Sequence, residues 1–207
     1  VEVHVSQGMP SLTIVGLPEA AVRESKDRVR SAILNSGYQF PTKRLTINLA
    51  PADLPKDGSR LDLPIALGIL MASGQLPEHC AEGIEFIGEL ALDGQLRPIH
   101  GVLSIAIACQ QDQHQLILPS QNAQEACQLP DFSVFGAQHL KEVCDHLNQV
   151  SPLTKTILDS HSLEQRYKFD LADVKGQVRP RRALEIAAAG GHSLLFRGPP
   201  GTGKTLL

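Results

Sequence analysis

Residues 193–207 read SLLFRGPPGTGKTLL, an apolar strand-like run over 193–196 that leads straight into a glycine-rich loop and a second apolar pair. Residues 198–205 satisfy G-x-x-x-x-G-K-[ST] in full, a match that chance supplies under about 1% of the time in a chain this long. The spacing has a physical reason. Gly198, Gly201 and Gly203 allow positive φ and bring backbone N–H groups against phosphate oxygens with no Cβ in the way. Lys204 is the point charge for the β and γ phosphates, and Thr205 offers its hydroxyl to Mg²⁺. Gly198, Pro199, Pro200, Gly201, Thr202, Gly203, Lys204, Thr205 and Leu206 are therefore the expected ATP-binding residues, with Leu206 and Leu207 opening a helix. A glycine- and proline-rich surface loop is the competing reading, and the strand–loop–helix setting weighs against it.

Just upstream, a helix is expected from Pro180 over 181–189, stopped by Gly190 and Gly191. Arg179, Arg181 and Arg182 form the densest basic cluster on it; they fit a solvated helix end better than a DNA contact, and no aromatic interleaves with them. Residues 148–170 lose all periodicity and read as a linker with room for a short helix. Charge changes there too. Ten Lys and Arg against seventeen Asp and Glu give −7 for residues 1–150, whereas nine against five give +4 for 151–207. Three segments follow: a domain over 1–150, a linker over 151–170, and the start of a second domain over 171–207.

The first 150 residues alternate strand and helix patterns, the mark of a mixed α/β or α+β fold. Val1, Val3 and Val5 alternate with polar residues, and 12–15 follows across the turn signal of 8–10, which predicts a hairpin. Residues 19–35 form an amphipathic helix with Val22, Val29 and Ile33 inward and the i,i+4 pairs Glu19/Arg23 and Glu24/Arg28 on another face. A strand over 44–49 leads to a loop dense in Pro, Asp, Lys and Gly, and 63–73 reads as a fully buried helix with Asp62 as N-cap. Asp93-Gly94 between 86–92 and 95–99 is a hairpin signal. Helices over 102–109, 123–129 and 140–147 then alternate with strands over 116–118 and 133–135.

The segments VGLPEAAVRESKDRVRSAI (15–33), INLAPADLPKDGSRLDLPIALGIL (47–70), GELALDGQLRPIHGVL (88–103) and DVKGQVRPRRALEIAAAGGHSLLFRGPPGTGKT (173–205) resemble the magnesium-chelatase-like AAA+ ATPases of the competence-associated ComM/YifB group. The resemblance implies a ribosomal protein S5 domain 2-like fold, shared with Lon protease, followed by the start of a P-loop AAA+ domain. It also implies that residues 173–177 border the adenine. ATP and Mg²⁺ are the implied cofactors, and DNA and a homo-oligomeric ring the implied partners, for an ATP hydrolase acting as a helicase or translocase in competence and recombination. No catalytic residue for hydrolysis is assignable within these residues, so this stretch alone is expected to show no turnover. A chelatase-type motor acting on a protein partner is the alternative. A Lon-like peptidase is disfavoured: in the stretch KDGSRLD (56–62) Arg60 stands where similar proteases carry the serine, and Leu103 stands where they carry the lysine. Ser59 with Lys56 is a poor substitute, since both sit on one loop without fixed orientation.

His139, Glu142 and His146 fall on one helix face at i, i+3, i+7, but a solvated face explains them better than a metal site. Cys80, Cys109, Cys127 and Cys144 lack paired spacing and read as reduced thiols. No apolar run reaches the roughly 18 residues of a membrane span; residues 63–72 are interrupted by Pro64 and Gly68. A cytoplasmic protein without a membrane partner is expected. The start at Val1 and the stop inside the motif suggest a piece of a longer chain. Six Phe, two Tyr and no Trp leave little for stacking on single strands in the manner of an OB fold.

Overall fold

Alternating side chains at Val3/Val5, Leu12/Ile14 and Leu45/Ile47 give three strands one apolar face each, and the three form the first sheet: β1 (Glu2–Ser6), β2 (Ser11–Val15) and β3 (Arg44–Asn48). The computed structural model describes residues 1–54, 56, 58–158 and 170–204. It divides into two units, Val1–Asp159 and Ser160–Leu207.

The expected hairpin of the first two strands does not form. The order is β1-β3-β2, with β1 antiparallel to β3 (Val3 opposite Ile47) and β2 parallel to it (Ile14 opposite Ile47). Leu45 and Ile47 are essentially inaccessible, as suits the central strand β3, and β1 and β2 take the edges. The parallel pair needs a crossover, and α1 (Ala20–Asn35) supplies it. Gly37, at φ 85°, ends α1 as expected: Tyr38 N donates to Ile33 O and Gly37 N to Leu34 O. Arg23 does not pair with Glu19 but donates from Nε to the Pro18 carbonyl.

The next helix, α2 (Asp62–Ala72), is apolar on nearly every side and is buried accordingly. Asp62 is not its N-cap. Its carboxylate, 1% exposed, receives Arg28 Nε at 2.8 Å and an Arg28 terminal nitrogen at 3.1 Å, together with Leu90 N at 3.2 Å. One carboxylate thus ties α1 and α2 to the backbone at Leu90.

The second sheet is fully parallel, with order β4-β7-β8, from β4 (Ile84–Phe86), β7 (Gln115–Pro119) and β8 (Val134–Ala137). Asp93-Gly94 makes its hairpin, but between two-residue strands, β5 (Glu89–Leu90) and β6 (Leu96–Arg97). The expected long strand over 86–92 breaks at Ile87 and Gly88, because Ile87 N bonds to Ile117 O while Gly88 N turns to Arg60 O. Helices α3 (Val102–Gln111), α4 (Ala123–Ala126) and α5 (Leu140–Leu147) cover the sheet; α4 stops short of the expected 129, one turn ahead of Pro130. Unit 1 has two apolar cores. One joins Ile33, Leu45, Ile47, Leu63 and Leu67 beneath the first sheet, and the other joins Val102, Ala106, Leu116 and Val134.

The first part of the expected linker packs on unit 1: Lys155 bridges Phe135, and Thr156 N donates to Val134 O at 2.8 Å. The rest of it, 159–169, with the short helix expected there, lies outside the described residues. In unit 2, α6 (Val178–Gly190) ends on Gly191 in the left-handed region, as expected. The expected strand over 193–196 is not a strand here. A strand needs a neighbour to share its hydrogen bonds, the described residues of unit 2 offer none, and Leu195 stands 87% exposed.

Candidate functional site

The glycine-rich loop of unit 2 folds around the ammonium of Lys204. Gly201 (φ 81°) and Gly203 (φ 75°) take the left-handed backbone that only glycine adopts without strain. Lys204 Nζ donates to Gly198 O at 3.0 Å, Pro199 O at 2.6 Å and Thr202 Oγ1 at 3.3 Å, and Thr202 Oγ1 donates to Pro199 O at 3.0 Å. These acceptors are neutral, and no carboxylate among the described residues pairs with the ammonium. A cation held only by carbonyls and a hydroxyl gains from exchanging them for an anion, since charge-assisted hydrogen bonds are roughly twice as strong as neutral ones. Thr205 and Leu206, expected in the same site, lie outside the described residues.

One partner of the loop was not singled out by sequence. Gln177, at φ 51°, opens α6 and donates from Nε2 to Thr202 O at 2.7 Å, which fastens the loop to the helix start across 25 residues. The segment before it is itself ordered by a capping box, with Ala172 N donating to Asp170 Oδ1 and Asp170 N to Asp173 Oδ2. The pair Gly176-Gln177 ahead of a helix was the available signal, and its loop contact depends on chain closure that spacing does not encode. Of the basic cluster on α6, Arg181 is turned to Val174 O and Arg182 to Glu185, as a solvated helix end requires.

In unit 1 a cleft is lined by Gly58, Ser59, Arg60, Glu89, Ile99 and His100. Ser59 and Lys56 are not brought together: Ser59 Oγ bonds the Glu89 carboxylate, whereas Lys56 Nζ bonds Pro51 O. Leu103 is exposed on α3, and the Arg60 carbonyl accepts from Gly88 N. No serine–lysine pair therefore exists in this cleft among the described residues. Beneath it, the Asn122 side chain, nearly buried, accepts from Ile99 N at 2.9 Å and donates to Ile99 O at 3.0 Å, as a neighbouring strand would.

His139, Glu142 and His146 serve the fold. His139 Nδ1 caps α5 by accepting from Lys141 N, Glu142 accepts from Gln138 N, and His146 Nδ1 accepts from Leu153 N while its ring lies 5.6 Å from Phe135. No metal-binding cluster occurs among the described residues. All four cysteines are free thiols, and burial pushes Cys109 and Cys144 up to about 12, so neither is a thiolate at neutral pH. No helix among the described residues is long and apolar enough to cross a membrane.

Two family models match this chain: one described as subunit ChlI of Mg-chelatase over residues 1–122, and one as magnesium chelatase, subunit ChlI, over residues 170–207. Similar proteins include the competence protein ComM of Haemophilus influenzae, 51% identical over the whole chain and 42% of that protein. The uncharacterized protein YifB of Escherichia coli is 48% identical over the whole chain and 41% of its own length. Lon protease 2 of Bacillus subtilis is 25% identical over 75% of this chain and 30% of that protein. The chain thus spans about two-fifths of the length of the ComM and YifB relatives it matches.

Proposed function

This chain belongs to the Mg-chelatase subunit ChlI family, in the group that includes ComM and YifB, and from that membership we propose that it is part of an ATP-hydrolysing AAA+ motor that acts on DNA. The observation that carries the reading is the loop of residues 198–204, whose two left-handed glycines and inward-held Lys204 suit a polyphosphate. Backbone N–H groups of the loop bind the phosphate oxygens, and Lys204 leaves its carbonyls to neutralise the β and γ phosphates. Thr205 follows in the motif as the hydroxyl that holds Mg²⁺, which supplies charge neutralisation between the phosphates. Gln177 fixes the loop from the side. In this reading residues 1–150 form a non-catalytic S5 domain 2-like domain related to that of Lon, which the Lon protease 2 similarity supports. The whole protein assembles as a ring in the cytoplasm.

ATP hydrolysis by the longer parent protein, with and without single-stranded and branched DNA and beside Lys204→Ala, tests this. DNA should raise the rate, and Lys204→Ala should abolish it. A rate indifferent to DNA but still lost with Lys204→Ala would keep the nucleotide site and move the substrate to a protein partner. Full turnover in Lys204→Ala would remove the reading.

A further inference from the structure

Charge in unit 1 is segregated. Residues 23–44 carry six Lys and Arg against two Asp and Glu, whereas residues 45–150 carry four against thirteen. Two of the four cations in the acidic part pair locally with carboxylates: Arg97 meets Glu89, and Lys141 meets Asp145. Arg28, on the α2 side of α1, meets Asp62. On the opposite flank of α1 the pattern changes. Lys26 and Arg30, one turn apart, and Lys43 and Arg44, at the entry of β3, have no carboxylate within ion-pair distance among the described residues. Asp27 and Glu24, the acidic groups nearest in sequence, make no ion pair with them.

Two of these cations, Arg30 and Lys43, line one concavity together with an aromatic residue, Phe40. The Arg30 guanidinium lies 4.9 Å from the centre of the Phe40 ring. Residues 40–43 form a ridge between two concavities: Arg30, Ser11 and Leu12 line the far wall of one, and Gln39, Ser73 and Gln75 belong to the other. Arg44 follows Lys43 into β3, opposite Ser11 of β2 and Ser6 of β1, and is exposed on the strand face that alternates with buried Leu45. Unpaired cations at a concave surface beside a half-buried ring are what a single strand requires, with phosphates on the cations and a base against the ring.

We propose that the concavity of Arg30, Lys43 and Phe40, with Lys26 one turn from Arg30 and Arg44 next to Lys43 in the chain, is a binding surface for single-stranded DNA, built into the otherwise acidic unit 1. The choice of DNA as the polyanion rests on the motor reading above; the surface itself rests on charge, groove and ring. It assigns strand capture to unit 1 and the nucleotide loop to unit 2.

The test is fluorescence anisotropy of the 207-residue chain with a labelled oligonucleotide of roughly 20 nucleotides, titrated between about 50 and 200 mM salt. Arg30→Ala/Lys43→Ala/Arg44→Ala should weaken binding at least about tenfold at the lower salt and cut the slope of log affinity against log salt by about 2, near 0.7 per lost contact. Phe40→Leu should weaken binding about fivefold and leave that slope unchanged. Circular dichroism melting confirms that each variant is folded, and Lys43→Glu, a single exposed change, provides the same readout if the triple variant is not. Wild-type affinity and slope in the triple variant would overturn the proposal, as would transfer of the loss to Arg179→Ala/Arg182→Ala. Binding of a poly-glutamate peptide at this flank without binding of the oligonucleotide would also overturn it. If DNA still stimulates ATP turnover in the parent protein when the triple variant binds normally, the motor reading stands and only this surface falls.

Discussion

Asp62 shows how much one side chain can hold. Burial lifts its carboxyl above the ordinary carboxylate range, against the opposing pull of Arg28 and the Leu90 amide. Removing it strands a buried amide and an arginine that is only 23% exposed, so Asp62→Ala should cost about 2 to 4 kcal/mol in urea unfolding. Asp62→Asn keeps an acceptor for both partners and should cost clearly less. The sign with pH follows from the raised value: relative to the Asn variant, the native protein should be most stable below the ordinary carboxylate range and lose that margin as pH rises through the folded value. Unfolding curves of both proteins at roughly pH 3 and pH 7 check this; a margin that grows with pH would mean that Arg28 outweighs burial. Lys204 illustrates a different residue-scale economy, since its ammonium is collared by neutral oxygens of its own loop and no carboxylate among the described residues competes for it.

At the scale of elements, the amphipathic and all-apolar patterns were readable because each is a statement about burial. α1, α2, α3 and α5 were legible within one or two residues, as was the Asp93-Gly94 turn. Pairing was not. Nothing in the spacing of Val3 and Leu12 says that a strand 30 residues later will come between them, and the tight turn chemistry at 8–10 suggested adjacency that β3 overrides. The strand over 193–196 failed for the complementary reason: its pattern was strand-like, but ladder partners are a property of neighbours. In the glycine-rich loop the residue types were legible and the Gln177 clasp was not. Gly68, within α2, faces Val3 of β1 at close range. A Cβ built there would stand 2.7 Å from Val3 Cγ2, so Gly68→Ala should destabilise by about 1 to 3 kcal/mol despite its better helix propensity, measured by thermal melting. Gly68→Ala combined with Val3→Ala should recover part of the loss, which separates crowding from a helix effect.

At the scale of the whole molecule, the two buried clusters belong to unit 1, and Val174 is the one buried apolar residue among the described residues of unit 2. A chain ending after residue 158 should therefore melt cooperatively within a few degrees of the 207-residue chain, by circular dichroism; a collapse of the transition would mean that unit 1 borrows stability from beyond its boundary. Charge reverses and periodicity fades after residue 150, whereas unit 1 extends to Asp159. The clip that Asn122 places on Ile99 has a consequence for the protein in a crowded solution. Extended backbone with a free donor and acceptor is adhesive towards any other chain, and the carboxamide silences both groups from within the same molecule. Asn122→Ala should therefore be recognised first by light scattering that grows with protein concentration, before any loss of secondary structure, because the uncovered stretch would recruit a second copy in place of the missing amide.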